Sequence, residues 1–321
     1  MDDLINIRDY PVGAVLELLL KDKTTEQNII FATDSYESYG IGFEKTSQMT
    51  KDKLQGVAAW ELQPRVQKNI EAQKLRTKVK AEVMTPGWIV CKMNAYADEE
   101  WFGRPDVFES LHDTTWEPTK GPIEFPEGKT WQQYVDSRRI EITCGEAPYI
   151  CSRYDVTTGE LIPLEKRIGL LDRKLRVVGE NTKTEDEWMK WSLRAFQSVY
   201  GYEFQGDNLL IARINLLNTY VDYMEAKLDR KPTRAELSTI ANVIVWNFWQ
   251  MDGITHTIPF AASETEEELT ISWGDMDDIR PDSIEEPKCI RPICLVRDWR
   301  ECTRGKAYKY TEINKPRRNV K

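Results

Sequence analysis

A chain of 321 residues with 40 % apolar side chains and eleven tryptophans holds enough material for a sizeable core, in one large or two small domains. Its net charge of −9 argues against a protein that binds nucleic acid over its whole surface, because neutralising phosphates needs a basic face. The longest apolar run, residues 14–20, is broken by Glu17 and too short to span a bilayer, and no charged-then-apolar leader precedes it; this predicts a cytoplasmic protein with no membrane partner.

Taken in chain order, residues 1–62 read as an N-terminal extension, with a short helix at 14–20 and a buried strand at 28–32 ended by Thr33, Asp34 and Ser35. Charges and sparse apolar residues over 63–83 predict a solvated helix. Pro86 disfavours helix at Thr85 but is welcome in a first turn, so Thr85 is expected to cap a helix whose Trp88, Ile89 and Met93 pack inward. From 94 to 129, aromatic residues alternate with Pro, Gly and acids, which predicts an anchored loop.

Residues 138–149, RRIEITCGEAPY, are the centre of the chain. Ile140 and Ile142 alternate with Glu141 and Thr143 and run into Cys144-Gly145, which reads as a strand ending in a loop. Doubly wound α/β proteins use such an acid and glycine turn to bring backbone close to a nucleotide-like ligand. A connector follows, with a turn at 157–159 and a charged helical piece at 164–178. Thr184 and Glu187 then form a capping box for a helix carrying Trp188, Trp191, Ala195 and Val199 on one face.

Residues 198–204 read as a second strand. A long amphipathic helix starts near Asp207, with Leu210, Ile214, Leu217, Val221, Met224 and Leu228 at spacings of three and four, and closes at Asp229 and Pro232. Another helix is expected from 233 or 234 to 241, then a third strand over 242–249 ending at Asp252-Gly253. Alternating strands and helices are the α/β pattern. Residues 261–287 are acidic like a surface loop, and 293–310 suit one or two edge strands. The expected division is an extension at 1–62, an α/β domain at 63–260 and an acidic loop with an edge segment at 261–321.

Three successive strands thus end in acids: Glu141 with Gly145, then Glu203, then Asp252. Ligands of open α/β sheets sit beyond the carboxyl ends of the strands, so these acids are expected to converge on one pocket. An acid after the second strand suits ribose hydroxyls, and one after the third suits a purine amino group. Other chemistries have little support. The six cysteines lie at irregular spacings, Cys289, Cys294 and Cys302 lack a CxxC pair or a nearby histidine, and no metal is expected. His112 and His256 stand beside no serine or cysteine elbow, and no Walker loop occurs.

The series resembles the S-adenosylmethionine-dependent DNA adenine methyltransferases that serve as modification subunits of restriction systems. Thr85-Pro86, with Ile89, Val90 and Met93 behind it, resembles the family's FTP segment at the methionine end of the cofactor. Residues 141–149 resemble its DPACGSGGF loop. Tyr202-Glu203 ahead of Ala212-Arg213-Ile214-Asn215 resembles the acid that holds the ribose, and 247–254 resemble the NI..GD.L segment facing the adenine.

The resemblance implies a Rossmann-like methyltransferase fold, an open, mostly parallel sheet with helices on both faces. It implies S-adenosylmethionine as cofactor, held by Thr85, Pro86, Glu141, Thr143, Cys144, Gly145, Glu146, Glu203, Phe204, Asp252 and Gly253, with Phe248 or Trp249 framing the adenine. Two departures stand out. Ala147 and Pro148 replace usual glycines, and the Asp/Asn-Pro-Pro-Tyr loop that grips the flipped base is absent; Thr257-Ile258-Pro259-Phe260 is a poor substitute. A second protein subunit is therefore expected to complete the active site or target recognition, with DNA reached through the complex. The alternative is an inactive methyltransferase-fold protein acting as a binding or assembly subunit. In a third reading the strand-end acids are helix caps or surface acids of another α/β protein.

Overall fold

The computed structural model describes residues 4–55, 62–80, 83–260, 292–300 and 305–313. Helix α1 (Val12–Leu19) buries Val12, Val15, Leu16 and Leu19, the spacing of a one-sided helix. After the single turn α2 (Lys51–Gln55) comes the charged α3 (Ile70–Lys80). Helix α4 (Gly87–Phe102) stops at Gly103, whose φ of +74° is the left-handed conformation that favours glycine at a helix end.

Thr85 does not cap α4. The Gly87 amide donates instead to Asp155 Oδ2 at 2.7 Å, so a carboxylate from a later loop satisfies the helix start. The buried stripe is Val90, Cys91, Asn94, Asp98 and Phe102, and Met93 is 53 % exposed, contrary to the inward packing expected of it. Where a loop was expected, α4 runs on to Phe102 and an antiparallel hairpin follows, β1 (Glu109–His112) and β2 (Thr115–Pro118). Asp113 turns it at a φ of +50°, a conformation that Asp tolerates without glycine's sequence signature.

Helix α5 (Trp131–Asp136), capped by Thr130 and Gln133, leads into β3 (Arg139–Ile142). Helix α6 (Leu170–Asn181) begins at Gly169, where a Cβ would lie 2.4 Å from Ile150 O. Helix α7 (Glu185–Gln197) carries the expected Thr184–Glu187 capping box and delivers the chain to β4 (Val199–Glu203). Helix α8 (Gly206–Leu228) ends with Asp229 at a φ of +53°. Helix α9 (Arg234–Asn247) absorbs most of the segment expected as a third strand, leaving β5 (Phe248–Gln250). Val243, Ile244, Val245 and Trp246 are all buried, so the continuous apolar run reflects a helix covered on every side. A second hairpin, β6 (Leu295–Asp298) with β7 (Lys306–Lys309), lies within the expected edge segment; the acidic stretch 261–287 is outside the described residues.

The fold is mixed α/β around a parallel sheet of order β3-β4-β5. Register pairs Glu141 with Gly201 and Gly201 with Phe248, and pairs Ile142 with Tyr202 and Tyr202 with Trp249. Alternation along a strand then gives two unlike faces. One carries Glu141, Gly201, Glu203 and Phe248, and through Val199 and Phe248 it joins the main core formed with the helices. The other carries Ile140, Ile142, Tyr200, Tyr202 and Trp249. Its buried part packs on Ile30, Ala32, Met251, Ile258, Cys294 and Val296, so the described residues put the β6–β7 hairpin, not helices, over this second face.

The expected strand at 28–32 is not formed. Ile29, Ile30 and Phe31 are buried, but residue 30 makes only an isolated bridge to Gln48. Its amide donates to Gln250 Oε1 and its carbonyl accepts from Gln250 Nε2, both at 2.9 Å. Residues of the N-terminal extension, among them Leu4, Val12, Leu16 and Leu19, share one hydrophobic cluster with Leu209, Ile240 and Ile244. No helix among the described residues is long and apolar enough to cross a membrane.

Candidate functional site

The carboxyl end of the sheet brings Glu141, Cys144, Gly145 and Glu203 together. Cys144 extends β3 by one rung, its amide donating to Tyr202 O at 2.8 Å. Its side chain sits so close to β4 that a Cβ on Gly201 would lie 2.9 Å from Cys144 Cβ, which explains a glycine in the middle of a buried strand. Glu203, at the end of β4, then receives the turn: Gly145 N donates to Oε2 at 2.9 Å, and Gln205 N donates to Oε1 at 3.1 Å. Gly145 adopts a φ of +53°, and nothing lies within 4 Å of where its Cβ would be. Backbone is therefore open to a ligand here, as a glycine turn permits.

Glu141 is the unusual member. It is buried on the helical face of β3, Tyr149 N donates to its Oε1 at 3.4 Å, and its Oε2 has no hydrogen-bond partner. Burial pushes its pKa well above the ordinary carboxylate value; the amides of Tyr149 and Ile150 oppose this and the charge of Glu203 adds to it. A buried acceptor without a donor is costly, and a cationic or hydroxyl-bearing ligand would relieve it. Burial likewise raises the Cys144 thiol, with Glu141 and Glu203 adding to the effect, so it is no thiolate nucleophile.

Glu146 is spent on structure. Its Oε1 accepts from Arg65 N and its Oε2 from Tyr154 OH, both at 2.7 Å. Asn215 on α8 braces the same loop, donating to Glu146 O and to Tyr154 OH at 3.2 Å. Ala147 takes a φ of +64° where the resemblance led us to expect glycine. Thr143 is exposed, and Phe204, half-buried, meets Phe260 edge-on at 5.5 Å.

The remaining expected residues are held by other partners. Thr85 and Pro86 precede a helix start that packs on Asp155 and Trp116. Asp252 Oδ1 accepts from Ile254 N at 2.8 Å and Thr255 N at 3.3 Å, closing its own turn, and Gly253 is exposed beside Tyr202. Phe248 packs in the main core and Trp249 points to the opposite face, so the two cannot frame the same ligand ring.

A cluster that sequence reasoning missed lies at the start of α8. Buried Asp207 is 3.0 Å from Lys68 Nζ and 2.9 Å from Arg76, and accepts from Tyr36 OH. Arg76 also donates to Gln205 Oε1 at 2.9 Å. Burial alone would raise the Asp207 pKa, but Lys68 and Arg76 outweigh it and hold the carboxyl well below its usual range. With Arg65 on Glu146, these bonds strap residues 62–80 to the loop and to the α8 N-terminus. Only the position of Asp207 at a helix start hinted at this; its partners were not legible.

Among the described residues no group of three or more His, Cys, Asp or Glu side chains is placed to hold a metal, and Cys289 and Cys302 lie outside them. What these residues assemble is one unpartnered buried carboxylate, one carboxylate holding a turn, and an open glycine. No known protein family, no curated protein and no solved structure matches this chain.

Proposed function

We propose that the chain has a Rossmann-like methyltransferase fold, binds S-adenosylmethionine and serves as the cofactor-binding subunit of a DNA adenine-N6 methyltransferase of a restriction-modification or phage-defence system. The observation that carries this reading is the unpartnered Oε2 of buried Glu141 beside the open backbone of Gly145. Ordered motifs in the sequence support it. So does the parallel pairing of β3 and β4, the strands that bear Glu141 and Glu203.

The residues fit the cofactor's polar ends. Glu141 Oε2 is the acceptor for its ammonium group, and the Gly145 backbone is open to its amino-acid end. Glu203 is the acid assigned to the ribose hydroxyls, and it also holds the turn. Once bound, the cofactor supplies a sulfonium methyl group, a strong donor that asks mainly for positioning. The base-gripping loop is assigned to a second polypeptide, which also brings the DNA.

The alternative, a methyltransferase-fold protein used only for binding or assembly, draws on Glu146 and Asp252 being consumed by internal bonds. Calorimetric titration with S-adenosylmethionine and its demethylated product separates the two. Micromolar binding by the wild type is expected, with Glu141→Gln and Glu203→Ala each weakening it by about 1.5–3 kcal/mol, the worth of a hydrogen bond to a charged group. No binding by the wild type favours the assembly reading, and unchanged affinity in both variants removes these acids from the site.

A further inference from the structure

On the face of the sheet opposite Glu141 and Glu203, a cleft of about 570 Å³ opens between the strands and the β6–β7 hairpin. That volume suits one small molecule. Ile140 and Ile142 form part of its floor and are 49 % and 59 % exposed, so this apolar surface is not used by the protein's own core. Tyr200 and Trp249 continue the floor, and Tyr308 and Tyr310 stand on the hairpin side.

The polar heads of the floor aromatics are satisfied elsewhere. Tyr200 OH reaches Gln197 O at 3.1 Å and Arg297 O at 3.2 Å, and Trp249 Nε1 reaches Met251 Sδ at 3.3 Å. What they offer the cleft is ring surface, and the Tyr310 ring, 5.7 Å from that of Trp249, joins them in one aromatic wall. Charge is placed at the margin. Arg138 is exposed and lies 2.8 Å from Asp298, and Glu312 also lines the cleft. Three guanidiniums, of Arg138, Arg139 and Arg297, and the two carboxylates around an aromatic slot match a nucleotide, whose planar base carries amino groups and whose sugar carries a phosphate.

We propose that this cleft binds a nucleotide, with the base against Ile140, Ile142 and the aromatic wall, its amino group toward Asp298 or Glu312, and its phosphate at Arg138. The ligand is either a free mononucleotide or an unpaired nucleotide of a strand. The site lies across the sheet from the proposed cofactor pocket, and it stands whether or not that pocket holds S-adenosylmethionine.

Two probes distinguish the sources: AMP followed by calorimetry, and a fluorescein-labelled oligo(dA) hexamer followed by anisotropy, each with saturating S-adenosylmethionine present. Tyr308→Ala removes part of the wall and is expected to weaken binding about tenfold, within the range for loss of one stacking ring. Ile142→Glu, a change at an exposed position, sets a negative charge in the floor and is expected to weaken it at least as much, with the thermal midpoint of both variants confirming that they fold. Binding of AMP identifies a free nucleotide, and binding of the hexamer alone identifies a strand; either, if weakened in the variants, upholds the proposal. Absence of binding to both probes at millimolar concentration overturns it, as does binding that neither variant changes.

Discussion

Arg213 and Glu141 are buried ionisable groups of opposite kinds. Arg213 donates to Phe248 O through Nε and Nη2 at 2.9 and 2.7 Å, and to Leu19 O and Lys21 O through Nη1 at 2.6 and 2.9 Å. Burial lowers its pKa to about 10, with Asp22 pulling the other way, so it remains charged at neutral pH. Glu141 lacks such a set of partners. Its raised pKa means that the folded state holds a proton that the unfolded chain releases near pH 4.5. The stability this proton carries is present below about pH 4.5 and is lost as pH rises through the folded value. Glu141→Gln is therefore expected to be more stable than the wild type at pH 7–8, with the gap closing as pH falls toward 4.5; urea denaturation at several pH values measures it. A gap that widens on acidification would contradict the assignment. Glu141, Gly145 and Glu203 were legible in the sequence because a strand end and a glycine turn are local patterns. Lys68 and Arg76 were not, since they reach Asp207 across 139 and 131 residues.

At the scale of elements, local chemistry again marks what was readable. Thr184 with Glu187 and Thr233 with Glu236 each close a capping box of four residues, and α7 and α9 begin just after those threonines. The β1–β2 hairpin escaped notice because its turn uses Asp113 instead of glycine, and β5 was overcalled because an all-round buried helix lacks periodicity. Within the strap at 62–80, Asp207 holds both Lys68 and Arg76. Asp207→Asn is expected to speed amide hydrogen exchange across α3 by tenfold or more, the effect of losing about 1.4 kcal/mol, while α8 beyond its first turn keeps its protection. Because the folded pKa of Asp207 lies below its ordinary 3.8, the anchor is intact above that pH and is lost as pH falls through the depressed value. Exchange in α3 that is equal in variant and wild type at pH 7 would show that the strap is held by other means.

For the whole molecule, the arrangement of the core matters more than the order of its segments. The N-terminal extension buries Val12, Leu16 and Leu19 in the cluster that also holds Leu209, Ile240 and Ile244. Deleting residues 1–62 would expose the α8 and α9 surfaces and strip Arg213 of its Leu19 and Lys21 acceptors. A fragment starting at residue 63 is expected to show no cooperative thermal transition by circular dichroism; a sharp transition near that of the full chain would make the extension dispensable. This closeness was invisible in sequence, where 1–62 offered only a short helix and a buried strand. The α/β alternation was visible, since α7 and α8 carry their own periodicity between the strands, whereas the hairpin over the second face is a long-range choice.

The side chain of Gln250 ties the N-terminal extension to the sheet. It holds Ile30 N and O and, through Nε2 at 2.9 Å, Phe204 O, so one amide bridges the 28–32 segment, β5 and the residue after β4. Residue 30 is moored to the sheet through this side chain while Phe31 O accepts from Gly206 N, so the buried segment ties the carboxyl end of the sheet to the start of α8.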